Sequence, residues 1–114
     1  KGVPIAQSTD GAHYDAMFTL WNSLKRTDGR TGKSLMTPYK QITREEALKL
    51  YTINSAYVIF MEDKIGSIEP GKLADLVILN RDILKCPIDD ILTTKALCTM
   101  VGGKAVHGSL DALR

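Results

Sequence analysis

Residues 66–80, "GSIEPGKLADLVILN", pass from a turn straight into a strand. Gly66, Pro70 and Gly71 punctuate the first half, and Leu73, Ala74, Leu76, Val77, Ile78 and Leu79 follow, broken only by Asp75. A strand with one wet face alternates apolar and polar residues, whereas a run that is apolar at consecutive positions reads as a strand covered on both faces. The strand is expected over residues 74–80, and any fold for this chain must supply two covers for it. At 114 residues the chain is long enough for one domain with a core of its own.

Around that strand the pattern changes period twice. "VPIAQS", residues 3–8, reads as a short strand, and "TDGAHYD" follows as a loop. Ala16, Met17, Leu20, Trp21 and Leu24 recur at helical spacing and predict a helix over residues 15–26. A polar Gly- and Pro-containing loop carries the chain to a second helix, expected from about residue 44 to about residue 59. Its start has the form of a capping box, Thr43 with Glu46, and Ile42 and Ala47 stand where a hydrophobic staple would. Ala47, Leu48, Tyr51, Ser55 and Val58 are expected on its inner side. "CPIDDIL" predicts one helical turn with Pro87 at its first position. Ala96–Val101 and Lys104–His107 flank Gly102-Gly103, which predicts a tight hairpin with positive φ at both glycines. There is no internal repeat.

Hydrophobic residues make up 44% and charged residues 25%, an ordinary globular composition. Fifteen basic and thirteen acidic residues, well mixed, leave a net charge of +2. That balance argues against nucleic acid or an anionic membrane surface as the main partner. No segment approaches the length of a membrane span. Cys86 and Cys98 belong to no CxxC pair and read as thiols in a reducing compartment, with the cytoplasm as the expected location.

Three stretches could carry chemistry. In "STDGAHYD", Asp10, His13 and Asp15 lie close together after a short strand. A carboxylate at the end of a strand can bind a divalent metal or take a proton from metal-bound water. The plainer reading has Asp10 or Asp15 capping the next helix, with His13 on the surface. Local sequence favours capping, because a zinc site needs three or four ligands and the chain has two histidines, His13 and His107. "TDGRTGKS" ends like a phosphate-binding loop, but Thr27 stands where the pattern needs Gly, so a solvated loop is the expectation. "TREEALK" reads as an exposed helix face, with Glu45 and Lys49 a favourable pair. Trp21, Tyr51, Tyr57 and Phe60 read as core rather than stacking platforms, and Cys86 has no adjacent histidine to make it a nucleophile.

"ITREEALKLYTINSAYVIFMEDKIGSIEPGKLADLVILN" followed by "TMVGGKAVHG" resembles the C-terminal part of the amidohydrolase superfamily, and within it the amidohydrolase-3 branch of N-substituted formamide deformylase-like enzymes. The resemblance is strong over residues 42–108, and "GxxxPGKxADLVxL" is its most specific motif. "IAQSTDGAHYDAMFTLWNSLKRTD" is similar, less tightly, to the segment at the last barrel strand, where the family has a Ser-Asp pair and this chain reads Ser8-Thr9-Asp10.

The resemblance implies an α/β fold: the C-terminal part of a (β/α)8 metal-dependent hydrolase barrel with part of its small β-sandwich. Residues 1–62 would hold the last strand and terminal helices of the barrel, and residues 63–114 the C-terminal part of the sandwich. Asp10 would lie at the C-terminal end of the eighth strand, where barrel enzymes place catalytic residues. There the family's Asp contacts the metal centre and takes a proton from the attacking water. Asp10 is thus expected to be both catalytic and a metal contact. The substrate would be a small amide, formamide or cyclic amide cleaved at a C–N bond. The family's HxH pair, its bridging carboxylated Lys or equivalent and its two later histidines have no counterpart among the 114 residues. The chain is therefore expected to be a piece of a longer zinc enzyme, inactive and without its own metal when alone. The other reading is a stand-alone α/β binding or assembly module, dimeric through its strand edges.

Overall fold

The computed structural model describes residues 2–9, 15–28, 30–34 and 41–113. Three helices come first: α1 (Ala16–Lys25), α2 (Arg44–Tyr51) and α3 (Ile53–Val58). Strand β1 (Leu76–Leu79), a 3-10 helix (Ile88–Thr93), strands β2 (Ala96–Val101) and β3 (Lys104–Gly108) and a last 3-10 turn (Leu110–Leu113) follow. The strands form an antiparallel sheet in the order β1-β2-β3, so β1 is an edge strand.

Asp15 starts α1 by accepting from the N–H groups of Met17 (2.8 Å) and Phe18 (3.4 Å). The helix stops at Arg26, which adopts the left-handed conformation and donates its N–H to Asn22 O. At α2 both arms of the capping box are present: Glu46 N–H donates to Thr43 Oγ1 (3.1 Å), and Thr43 N–H donates to Glu46 Oε2 (2.7 Å). Ala47 is fully buried and Ile42 packs against the same core, as a staple requires.

The long helix expected over 44–59 is broken at Thr52 (φ −116°, ψ −100°). Two hydroxyls compete with the helical ladder there: Thr52 Oγ1 donates to Leu48 O (2.9 Å) and Ser55 Oγ to Leu50 O (2.7 Å). The break turns the second half, so Ala56 is buried in place of Val58, which is exposed. Tyr57 and Phe60, expected in the core, are exposed for the same reason, and Phe60 is 88% exposed. Phe60 also sits at φ +58°, just beyond the end of α3. A left-handed residue with a Cβ costs about 1 kcal/mol against glycine at such a helix end. Phe60→Gly should therefore raise the urea midpoint, by up to about 1 kcal/mol of stability; an unchanged or lower midpoint contradicts the assignment of strain there.

The core lies between α1, α2 and the segment after β1. Leu20, Leu24, Ala47, Ile83 and Ile91 are buried together, with Met17, Trp21, Leu48, Tyr51 and Leu79 packed around them. Polar ties span the same seam. Asp89 accepts from Trp21 Nε1 (2.9 Å) and from Lys25 Nζ (2.7 Å), and these two donors, Lys25 first, hold its carboxyl below the usual range. Arg44 Nη1 donates to Ile83 O (2.6 Å).

The turn before β1 closes on itself. Lys72 Nζ donates to Ser67 Oγ (2.5 Å), which donates to Glu69 Oε1 (2.6 Å), and Leu73 N–H reaches back to Lys64 O (2.8 Å). β1 is shorter than expected and only partly covered: Leu76, Ile78 and Leu79 are half-buried and Val77 is exposed. Asp75, the interruption in the apolar run, accepts from the Gly102 N–H (2.7 Å), while Gly103 N–H donates to Ala74 O (3.0 Å). The start of β1 thus holds the hairpin turn, whose two glycines have the expected positive φ, +54° and +79°.

Two smaller expectations shift. Residues 3–8 form no strand ladder, because no described strand lies beside them; Gln7 N–H bonds to Leu50 O instead. Pro87 precedes the 3-10 helix as its cap residue, at ψ +142°, rather than opening it.

Candidate functional site

Asp10 and His13 lie outside the described residues. The segment leading toward Asp10 is described, and it is anchored twice. Asn54 Nδ2 donates to Ile5 O (2.9 Å). Gln7 ties the segment to two helices: its N–H donates to Leu50 O of α2 (3.1 Å), and its Nε2 donates to Thr19 O (3.3 Å) and to Ser23 Oγ on α1. On the far side of Asp10, Asp15 is the cap of α1, so the capping reading of this stretch holds for Asp15. Little in the sequence singles out Gln7; its one signal is a lone amide directly after the apolar "VPIA" run.

The other candidates are absorbed by structure. In "TDGRTGKS", the Asp28 carboxylate takes the N–H groups of Arg30 (2.9 Å) and Thr31 (2.6 Å) and the Thr31 hydroxyl (2.9 Å). These bonds, that from the Thr31 N–H foremost, hold its pKa down. Two of the N–H groups that a phosphate could use, those of Arg30 and Thr31, are thus already taken by a carboxylate. A cavity of about 530 Å³ lies beside β1, against Leu48 and Thr52 of α2. Its charged lining groups are engaged: Asp75 with Gly102, Arg81 with Asp90, Asp82 with the Leu84 N–H and Lys85. Ser67 also lines it, but its hydroxyl is engaged, accepting from Lys72 Nζ and donating to Glu69 Oε1. Cys86 and Cys98 are free thiols, and the polar neighbour of Cys86 is Arg44 Nη1 (3.8 Å). His107 is on exposed β3, paired in register with Thr99. Among the described residues no group of three or more His, Cys, Asp or Glu could hold a metal ion, and none of their helices is long and apolar enough to cross a membrane. The described residues do not by themselves fit a metal site.

A helix pair α2–α3, a self-closed GSIEPGK turn against α3 and a Gly-Gly hairpin held by an ADLV strand make a small α/β unit. The chain belongs to the amidohydrolase family, in its amidohydrolase-3 branch: the family's sequence pattern matches residues 1–107. It is 32% identical to a 5-methylthioadenosine/S-adenosylhomocysteine deaminase of Symbiobacterium thermophilum over 94% of this chain and 27% of that protein. It is 33% identical to an N-substituted formamide deformylase of Arthrobacter pascens over 90% of this chain and 19% of that protein. An amidohydrolase from Thermotoga maritima has a similar structure, with a TM-score of 0.67 at 26% identity, covering 95% of this chain and 24% of that one. The chain thus spans roughly a quarter or less of the length of these relatives.

Proposed function

We propose that this chain is the C-terminal segment of a metal-dependent amidohydrolase that cleaves a non-peptide C–N bond in a small amide, formamide, cyclic amide or aminopurine. One observation carries the reading: relatives named for deamination and deformylation, both hydrolyses at C–N bonds, align with 90% or more of the chain at 32–33% identity. The barrel and the rest of the sandwich would come from the part of the enzyme beyond these residues, and would supply the missing cover for β1. The family generally uses a divalent metal, zinc in our reading, which supplies a Lewis acid that activates water. Most of its ligands would lie outside this chain, and Asp10 would be this chain's contribution. In this reading Asp10 would accept the proton of the attacking water as it adds to the carbonyl or amidine carbon and return it to the nitrogen, so that the C–N bond breaks and amine or ammonia leaves. On its own the chain would turn nothing over. The free thiols Cys86 and Cys98 support a cytoplasmic location.

The test uses the complete, metal-loaded enzyme with methylthioadenosine, S-adenosylhomocysteine and N-butylformamide as probes, read by release of ammonia or formate. Turnover of at least one is expected. Asp10→Asn should lower kcat at least about a hundredfold, the usual scale for losing a positioned base, with the thermal melt retained. No turnover of any C–N probe, or an Asp10→Asn variant as fast as the parent, overturns the reading.

A further inference from the structure

We propose that the charge-free end of α3, centred on Phe60, is a docking surface for the remainder of the same polypeptide; this rests on the reading of the chain as one segment of a longer enzyme. Residues 50–61, "LYTINSAYVIFM", carry no charged side chain. A surface helix normally places charged and polar residues on the face away from its core. Here Tyr57, Val58 and Ile59 are exposed, and Phe60 is 88% exposed. Depletion of charge around an aromatic residue is the composition of an interface core. The backbone at this end is tied down. Ile59 N–H donates to Ala56 O (3.2 Å), Phe60 N–H to Tyr57 O (3.1 Å) and Met61 N–H back to Ala56 O (2.9 Å). The N–H groups of Lys64 and Ile65 both reach Met61 O (2.9 and 3.0 Å). These bonds hold Phe60 at φ +58° and present its ring from a fixed corner. Both local costs oppose a phenylalanine at this position: a left-handed Cβ is strained, and an exposed ring gains nothing from burial. Glycine or asparagine would suit the backbone better. The ring is therefore matched to something outside this chain. The occupant is the rest of the same molecule. The chain keeps the fold of the Thermotoga maritima amidohydrolase over 95% of its own length yet matches only 24% of that one, so most of such an enzyme lies beyond these residues.

The experiment is hydroxyl-radical footprinting of the complete enzyme, with the oxidation rate of Phe60 compared with its rate in the same enzyme unfolded in urea, at high and at low protein concentration. Expected is several-fold protection of Phe60 at both concentrations. Thermal melts of Phe60→Gly and Phe60→Leu in the complete enzyme accompany it. Phe60→Gly relieves the strain within this unit, but in the complete enzyme it also removes the docked ring, whose burial outweighs the left-handed Cβ. The melting temperature should therefore fall, by about 1–3 °C, and Phe60→Leu should recover part of the loss. A Phe60 oxidised as fast as in the unfolded enzyme overturns the proposal, and so does a Phe60→Gly variant that melts at or above the parent. Protection that disappears on dilution assigns the surface to a second copy and overturns it as well. A protected Phe60 in an enzyme that turns over none of the three C–N probes removes the proposed activity and leaves the docking surface standing; turnover with an unprotected Phe60 does the reverse.

Discussion

Gly66→Ala should be among the most damaging single-methyl additions to this chain, lowering stability by about 3–4 kcal/mol in urea denaturation. Two costs combine. Gly66 has φ +90°, and a residue with a Cβ pays about 1–2 kcal/mol in the left-handed region. The added carbon would then lie 2.7 Å from Ala56 Cβ, 2.9 Å from Ile53 Cα and 3.1 Å from Thr52 O. The last two are backbone atoms, so no side chain can swing aside. α3 must move off the turn, an overpacking cost of about 1–3 kcal/mol. Gly71 separates the two effects. Its φ is +92°, yet nothing lies within 4 Å of an added Cβ, so Gly71→Ala should show the conformational cost alone, about 1–2 kcal/mol. Equal losses at the two sites would show that α3 does not pack on the turn as described.

That contact explains why the GSIEPGK turn sits where it does, and it also marks what could be read beforehand. The turn, the strand after it, the capping box at Thr43 and Glu46 and the hairpin at Gly102-Gly103 were legible because each rests on residues within a few positions of one another. The break at Thr52 was not, because its causes are hydroxyls choosing carbonyls over the helical ladder, and apolar periodicity carries no trace of that choice. Asp75 looked like a flaw in an apolar run. Its purpose appears only when the Gly102 N–H, 27 residues away, is brought to its carboxylate. Gln7 was missed for the same reason: its partners are 12 and 16 residues distant. The reading of Asp10 came from family resemblance, since three local carboxylate and imidazole groups equally describe a capped surface loop.

Ile91→Ala should cost about 3–4 kcal/mol, and it tests whether the two halves of the chain share one core. Ile91 is 0% exposed, in the 3-10 helix, and is buried with Leu20 and Leu24 of α1, Ala47 of α2 and Ile83. Truncating a buried Ile to Ala typically costs about 2–5 kcal/mol, more where the walls cannot collapse into the space. Here the walls are held apart: Asp89 is tied to Trp21 and Lys25 on one flank, and Arg44 to Ile83 O on the other. Collapse would strain those ties, which places the cost in the middle to upper part of that range. Val77→Ala on the exposed edge strand is the control; Val77 is 54% exposed, and truncation should change stability by no more than about 0.5 kcal/mol. Because Ile91 packs on Leu20 and Leu24, the cavity should also make amide exchange over 16–25 of α1 faster. A loss under about 1 kcal/mol with unchanged exchange in α1 would mean that the residues after β1 lie against the helices without stabilising them.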